Sequence, residues 1–109
     1  MTRTAYLYRI QPTRPDMLSK GATPEEDALV TEHFLYLQEQ TRRKVVLLAG
    51  RTLTTDADSF GLVIFTASSE NEAARIMEED PAVKAGVFRA QLFPFRVALV
   101  SEEITKPLP

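Results

Sequence analysis

The alternation of short apolar runs with helix-start signals is the feature that most constrains the fold of this chain. Four runs, at 5–10, 45–49, 60–66 and 87–100, are rich in branched or aromatic residues and predict strands, the last of them bent at Pro94. A helical pattern lies between the first and second runs, and another between the third and fourth. The predicted order is therefore strand, helix, strand, strand, helix, strand.

The first predicted helix has a clearly marked start. Thr23 is a favourable N-cap, Pro24 stands at the first helical position, and Glu26 is placed to complete a capping box. The helix is expected to end at the basic run 42–44, which suits the negative end of the helix dipole. Helical spacing predicts one broad buried face, made of Val30, Phe34, Leu37 and Thr41, with Leu29, His33 and Tyr36 beside them.

The second predicted helix begins with the same pattern, Ser69 followed by Glu72, and stops before Pro81. A further short turn over 80–86 would be capped by Asp80 and released by Gly86. The segment 11–22, rich in polar residues and Pro, predicts a loop long enough to move or to cover a site. The residues from 101 to 109 are expected to form a loose tail.

Helices that alternate with strands in this order pack on one face of an antiparallel sheet. The sequence thus predicts an α+β fold with a ferredoxin-like βαββαβ subunit, in which two helices cover one face of a four-stranded antiparallel sheet.

The predicted strands are apolar on both faces, whereas a sheet covered on one side should alternate apolar and polar residues. Two helices cover one face, and a chain of 109 residues has no further element for the other. We therefore expect a homodimer formed through one sheet face, as a barrel-like stack of two sheets. The alternative is that short buried strands simply carry few polar residues. The opposed sets are Leu62 and Ile64 against Val63 and Phe65, and Val45, Leu47 and Ala49 against Val46 and Leu48.

The composition excludes several classes of function. The chain has no cysteine and one histidine, which excludes disulfides, thiolate chemistry and a multi-histidine metal site within one chain. A formal net charge of -2 with scattered basic residues gives no footprint for nucleic acid or an anionic membrane. Without a secretory signal or a long apolar run, the protein is expected to be cytoplasmic. No cofactor and no metal are predicted.

Two residues are candidates for chemistry. His33, the single histidine, would act as a general acid or base, because imidazole exchanges protons near neutral pH. Taken alone, His33 also fits a half-buried structural role, and Asp80 before Pro81 fits ordinary helix capping. Arg9, Arg89 and Arg96 could bind an anionic substrate, but surface pairing with Asp or Glu is the expected role of each. Tyr6, Tyr8 and Tyr36 are expected to be core aromatics with solvated hydroxyls rather than proton donors.

His33 and Asp80 belong to a longer pattern that resembles the YciI-like (YCII-related) family between about Tyr6 and Val97. The resemblance implies a dimeric α+β barrel and carries over that family's proposed active-site pair as His33 and Asp80. It also implies a single YciI-like domain over 1–109, with a core at about 4–100 and a C-terminal tail at 101–109. The matching motifs are His33 with Tyr36-Leu37, Gly50, Phe60-Gly61, Glu72-Ala73, Asp80-Pro81, Ala85-Gly86-Val87 and Pro94-Phe95.

The resemblance implies a small-molecule enzyme of lyase, dehydrochlorinase or isomerase type, acting on a small organic acid or phenol. The alternative is a non-catalytic dimeric module that binds a metabolite or a protein. The chain departs from the family pattern in having Arg51 after Gly50 and Phe95 after Pro94, where the family usually has proline and tryptophan. The 11–22 connection is also longer than usual. These departures bear on the shape of the ligand more than on the fold.

Overall fold

A computed structural model describes residues 3–105 of the chain. The strands are β1 (Thr4–Pro12), β2 (Val46–Arg51), β3 (Gly61–Ala67) and β4 (Phe88–Pro94). The helices are α1 (Asp16–Ser19), α2 (Pro24–Arg42), α3 (Glu70–Glu78) and α4 (Pro81–Lys84), followed by a 3₁₀ turn at Glu102–Thr105.

The four strands form one antiparallel sheet in the order β2-β3-β1-β4. This arrangement confirms the predicted α+β, ferredoxin-like fold. None of the described helices combines the length and the apolar character that a membrane crossing requires.

The core lies between one face of the sheet and the helices. Alternate residues of β1 and β3 point to this face because successive side chains of a strand point to opposite sides. The buried side chains include Tyr6, Tyr8 and Ile10 of β1 and Val63 and Phe65 of β3. We call this the helix face and the opposite side the open face.

The open face carries large apolar side chains, and no helix of the described residues packs on it. Ile64 of β3 lies opposite Leu7 of β1 and Leu48 of β2, and Leu7 lies opposite Phe93 of β4. Leu48 and Phe93 are among the exposed large hydrophobic residues. The expectation that both faces of β3 are apolar is therefore confirmed.

The predicted alternation in β2 is wrong. The register shifts between Val46, which pairs with Phe65, and Leu48, which pairs with Ile64. A bulge of this kind places two residues of one strand against one of its partner, so the parity of the strand changes there. Ala49 pairs with Val63 and consequently lies on the same side of the sheet as Val46, although it is exposed there.

The last predicted strand is also shorter than expected, since β4 ends at Pro94 rather than continuing to Val100. The amide of Phe95 still donates to the carbonyl of Ala5 at 3.1 Å, and the described residues beyond it belong to no strand. Leu99 is 95% exposed in this segment. The predicted loose tail begins with the 3₁₀ turn, and its residues 106–109 lie outside the described part of the chain.

The start of α2 is confirmed in detail. The Thr23 side chain accepts a hydrogen bond from the Glu26 amide, and the Glu26 carboxylate accepts one from the Thr23 amide. The predicted buried face is partly wrong, because Phe34 is 62% exposed and Thr41 is exposed as well. The covered side is centred on His33 and Leu37. The prediction failed because α2 has apolar residues on neighbouring stripes, so its sequence allowed more than one side to be buried.

The 11–22 segment is not the plain loop that its composition predicts, because it contains α1 and buries Met17. Arg14 connects it to α2 through hydrogen bonds from Nε and Nη2 to the Glu26 carboxylate, at 2.9 and 2.6 Å. Thr13 connects it to the region after α4, since its hydroxyl donates to the Gly86 carbonyl at 2.7 Å.

Replacing Glu26 should remove an acid-sensitive part of the stability. Hydrogen bonding to Arg14, and then to the Thr23 amide, lowers the pKa of Glu26 from 4.5 to about 2. A carboxyl whose pKa is lowered on folding stabilises the protein above its unfolded pKa, and this contribution is lost as pH falls from 4.5 towards 2. The difference in unfolding free energy between wild type and Glu26→Gln should therefore shrink across that window.

Urea denaturation at neutral pH and at about pH 2.5 measures this difference. Glu25→Gln, a neighbouring exposed carboxylate without an ion pair among the described residues, is the matched control. A Glu26→Gln effect of equal size at both pH values would contradict the assignment.

Candidate functional site

His33 and Asp80 come from separate parts of the chain and meet above the helix face of the sheet. His33 lies on the covered side of α2, midway along the helix. Asp80 is the N-cap of α4, and its Oδ1 accepts a hydrogen bond from the Ala82 amide at 3.1 Å. Pro81 at the first helical position favours this local geometry, as predicted.

The two side chains are in direct contact. His33 Nδ1 lies 2.7 Å from Asp80 Oδ2, within the range expected for a hydrogen-bonded pair. Asp80 is fully buried, and the His33 side chain is 12% exposed. An ionised carboxylate accepts hydrogen bonds and donates none, so Nδ1 carries the proton of this contact. Neutral His33 then has a lone pair on Nε2.

The remaining surroundings of His33 leave Nε2 accessible. Among residues 3–105 it has no hydrogen-bond partner, and it is not one of the buried polar atoms left without one. Solvent therefore reaches Nε2. The ring also makes an edge-to-face contact with Phe88, with centroids 5.1 Å apart and planes at 79°. Asp80 and Phe88 fix the ring while one nitrogen stays open.

Tyr8 is the member of the site that sequence reasoning missed. Its hydroxyl is not solvated as expected, because the residue is fully buried and donates to Asp80 Oδ2 at 2.8 Å. Burial, and then the charge of Asp80, raise the pKa of the Tyr8 hydroxyl, which keeps it a hydrogen-bond donor. The available signal was strand parity, since Tyr8 shares its face with Tyr6 and Ile10 and that face meets the helices.

Tyr36 supplies a second neutral hydroxyl near the pair. It donates to the Ile76 carbonyl at 2.6 Å and thereby connects α2 to α3. Burial, with the nearby charges of Glu79 and Asp80, raises the pKa of Tyr36 to about 12. Its hydroxyl thus stays protonated at neutral pH.

The three arginines predicted to lie on strands do not form the predicted ion pairs, and Arg96 lies beyond the end of β4. Among the described residues, none of Arg9, Arg89 and Arg96 pairs with a carboxylate. The Arg9 guanidinium lies 5.1 Å from the centre of the Phe60 ring. Arg89 donates to the Gln11 side chain at 3.0 Å. Cross-strand neighbours of the opposite charge are missing around them, so stacking and amide contacts take the place of ion pairs.

Two surface cavities lie away from His33. One, of about 400 Å³, is at the junction of β1 with the end of β4, and the other, of about 360 Å³, is on the open face beside β2. Neither is lined by His33 or Asp80. Within residues 3–105, no three carboxylate, histidine or cysteine side chains come together as a ligand set for a metal ion.

Residues 6–96 match the YCII-related domain. The chain belongs to the YCII-related family. Membership follows from a match over most of the chain, and it confirms the resemblance seen in the short motifs. Among curated proteins, none matches the sequence.

A solved structure shares this fold. It is 5-chloro-2-hydroxyhydroquinone dehydrochlorinase (TftG) from Burkholderia phenoliruptrix AC1100, in complex with 2,5-dihydroxybenzoquinone. The sequences are 21% identical, the TM-score is 0.60, and the similarity covers 84% of this chain and 93% of that one. At this identity the likeness establishes the fold of the YCII-related chain.

Asp80→Asn should change the proton position on His33. The Asn side chain carries no charge, and its NH₂ group replaces one of the two oxygens that accept hydrogen bonds. Nδ1–H therefore loses its charged acceptor, and the preference of His33 for the Nδ1–H tautomer falls. Long-range ¹H–¹⁵N spectra report the tautomer, and the single imidazole makes the assignment unambiguous. The loss of hydrogen bonds to a buried charge should also destabilise the fold by roughly 1–3 kcal/mol. An unchanged tautomer would mean that Asp80 does not orient the ring.

Proposed function

We propose that this YCII-related protein is a small-molecule enzyme in which His33 transfers a proton through Nε2 and Asp80 holds the imidazole in place. The observation that carries this proposal is the 2.7 Å contact of Nδ1 with a fully buried carboxylate, combined with the solvent access of Nε2. A histidine needed only for packing would not require one nitrogen fixed by a charge and the other left free.

The mechanism follows from the fixed tautomer. Nε2 takes a proton from an acidic O–H or C–H of the substrate, and the imidazole becomes a cation. The Asp80 carboxylate stabilises that cation, because a negative charge in a poorly solvated site interacts strongly with a neighbouring positive one. The proton then returns from Nε2 to another substrate atom or to water, which restores the neutral ring.

A small ring-containing acid or phenol is the proposed substrate class. The structural neighbour was solved with 2,5-dihydroxybenzoquinone and carries the name of a dehydrochlorinase, so its fold accommodates a ligand of this kind. The reaction would be of lyase, dehydrochlorinase or isomerase type, since each begins or ends with a proton transfer that one histidine can perform.

The second candidate is a non-catalytic dimeric module that binds a metabolite or a protein. The placement of the two cavities favours it, because both lie away from His33. In that case the contact between His33 and Asp80 would only join α2 to α4.

Catalysed hydrogen–deuterium exchange separates the two candidates without knowledge of the natural substrate. The probe is 2,5-dihydroxybenzoquinone in D₂O, and the loss of its ring C–H signal is followed by ¹H NMR. If Nε2 transfers protons, deuterated His33 should deliver a deuteron to the ring carbon, and the neutral imidazole should then remove the original proton. The protein should therefore accelerate exchange, and His33→Asn should lower that rate by roughly 10²-fold or more. Asn keeps an N–H near Asp80 but lacks a basic nitrogen.

Glu32→Gln, the exposed neighbour of His33 on α2, is the matched control and should exchange at the wild-type rate. Thermal shift on the same samples reports binding. Binding without catalysed exchange would support the module, and equal exchange in wild type and His33→Asn would exclude His33 as the base.

The open face supports the proposal of a homodimer. Apolar side chains from all four strands meet there: Leu48 and Phe93 are exposed, and Leu7 and Ile64 are partly exposed. A contiguous apolar surface of this kind on a small protein marks an interaction site. A second copy offers the same surface, and a two-fold axis places like against like.

Leu48→Asp should shift the protein from dimer to monomer, because a two-fold interface would bury two unpaired carboxylates, one from each copy. Sedimentation at micromolar concentration should give twice the 12.2 kDa chain mass for wild type and 12.2 kDa for the variant. Leu35→Asp changes a similarly exposed leucine on α2 and should leave the mass unchanged. A folded wild-type monomer at this concentration would rule out the interface.

A further inference from the structure

Two side-chain donors, an imidazole N–H and a phenol O–H, converge on one carboxylate oxygen in the interior of the protein. Asp80 Oδ2 lies 2.7 Å from His33 Nδ1 and 2.8 Å from the Tyr8 hydroxyl, while Oδ1 accepts only from the Ala82 amide among the described residues. His33 and Tyr8 therefore compete for the same acceptor. A hydrogen bond from one donor draws electron density from Oδ2, which weakens the hydrogen bond from the other donor.

The hydroxyl of Tyr8 is not needed for packing. The Tyr8 ring packs edge-on against Phe65 with centroids 5.6 Å apart, a contact that phenylalanine would make equally well. A buried hydroxyl costs stability unless it is hydrogen-bonded, and here its acceptor is the carboxylate of the candidate site. Tyr6, two residues earlier on the same face, shows the contrast, because its hydroxyl bonds to none of the described residues and is not among the buried unpaired atoms.

We infer that Tyr8 is a positioning residue, whose O–H holds Asp80 Oδ2 in place and limits how strongly that oxygen attracts the His33 Nδ1 proton. The effect of Tyr8 on proton transfer rests on the proposed function, whereas its hydrogen bond to Asp80 is present without any ligand. Tyr8 does not contact the substrate. It acts on Nε2 indirectly, through Asp80 and the imidazole.

The hydrogen bond from Tyr8 should lower the basicity of His33 Nε2. With two donors on Oδ2, the negative charge is shared, and His33 Nδ1–H forms a weaker hydrogen bond than it would as the only side-chain donor to that oxygen. Without the Tyr8 hydroxyl, the charge is directed at Nδ1–H alone. The proton is then drawn closer to Asp80, and the electron density at Nε2 rises.

Tyr8→Phe tests the inference in the protein without ligand. The His33 Nδ1–H proton should move downfield relative to wild type, as expected for a shorter and stronger hydrogen bond, and the ¹⁵N shift of Nδ1 should change with it. Tyr6→Phe is the matched control, because it removes a hydroxyl from the same strand and face without touching Asp80, and its spectrum should match wild type. A Tyr8→Phe spectrum identical to that of Tyr6→Phe would overturn the inference.

A second substitution covers the case in which Tyr8→Phe fails to fold. Fluorotyrosine incorporated at position 8 keeps the hydroxyl and makes it a stronger donor, so it should withdraw more density from Oδ2. The His33 Nδ1–H proton should then move upfield, opposite to the Tyr8→Phe shift. A downfield or absent shift with fluorotyrosine would contradict a shared acceptor.

The exchange assay with 2,5-dihydroxybenzoquinone separates this inference from the proposed function. Shifted Nδ1–H signals in Tyr8→Phe, together with no catalysed exchange by wild type, would retain Tyr8 as a positioning residue and remove the enzymatic role. Catalysed exchange by wild type with unshifted signals in Tyr8→Phe would do the reverse. If both hold, Tyr8→Phe should also change the exchange rate while Tyr6→Phe leaves it unchanged.

Discussion

The buried carboxylate of Asp80 is the interaction on which the arrangement of the site depends. It contacts a histidine 47 positions earlier and a tyrosine 72 positions earlier, so it connects α4 to α2 and to the central strand β1. An unpaired carboxylate in such a place would be strongly unfavourable. Its three donors remove that cost, and in doing so they fix the distance between two helices and the sheet. The histidine is oriented as a result of the same requirement.

The sheet imposes a second constraint, because its two faces are used differently. The helix face holds the aromatic core and the candidate site. The open face has Ile64 on the inner strand β3, Leu48 on the edge strand β2 and Arg9 on β1, whose guanidinium lies over the Phe60 ring. The candidate site and the proposed dimer surface therefore lie on opposite sides of the sheet, and β1 contributes to both: Tyr8 points to the site and Leu7 to the open face.

Family membership supports the fold, and the geometry around His33 supports the proposed proton transfer. The match to the YCII-related domain over 6–96 and the likeness to a dehydrochlorinase concern the fold. The proposed proton transfer depends instead on the contacts of one imidazole in this chain. The Tyr8 hydrogen bond adds a feature that neither the composition nor the short motifs revealed.

The sequence by itself determined what depends on neighbouring residues. The capping box at Thr23, the Asp80 cap before Pro81 and the order of the elements all follow from local hydrogen bonding and periodicity, and each is present in the structure. Local interactions of this kind are similar in any tertiary setting, which is why they were predictable. The candidate pair His33 and Asp80 came instead from the resemblance to the YCII-related family, since each residue taken alone fitted a structural role.

Tertiary structure decided what depends on residues far apart in the chain. The bulge in β2 arises from its pairing with β3, and the exposure of Phe34 depends on which side of α2 packs against the rest of the protein. The hydrogen bond from Tyr8 to Asp80 exists only after β1 and α4 have packed together. More than one side of α2, and both alternating sets of residues in β2, were apolar enough to be buried. Tertiary packing and the need to pair a buried carboxylate therefore determined which of them face the core.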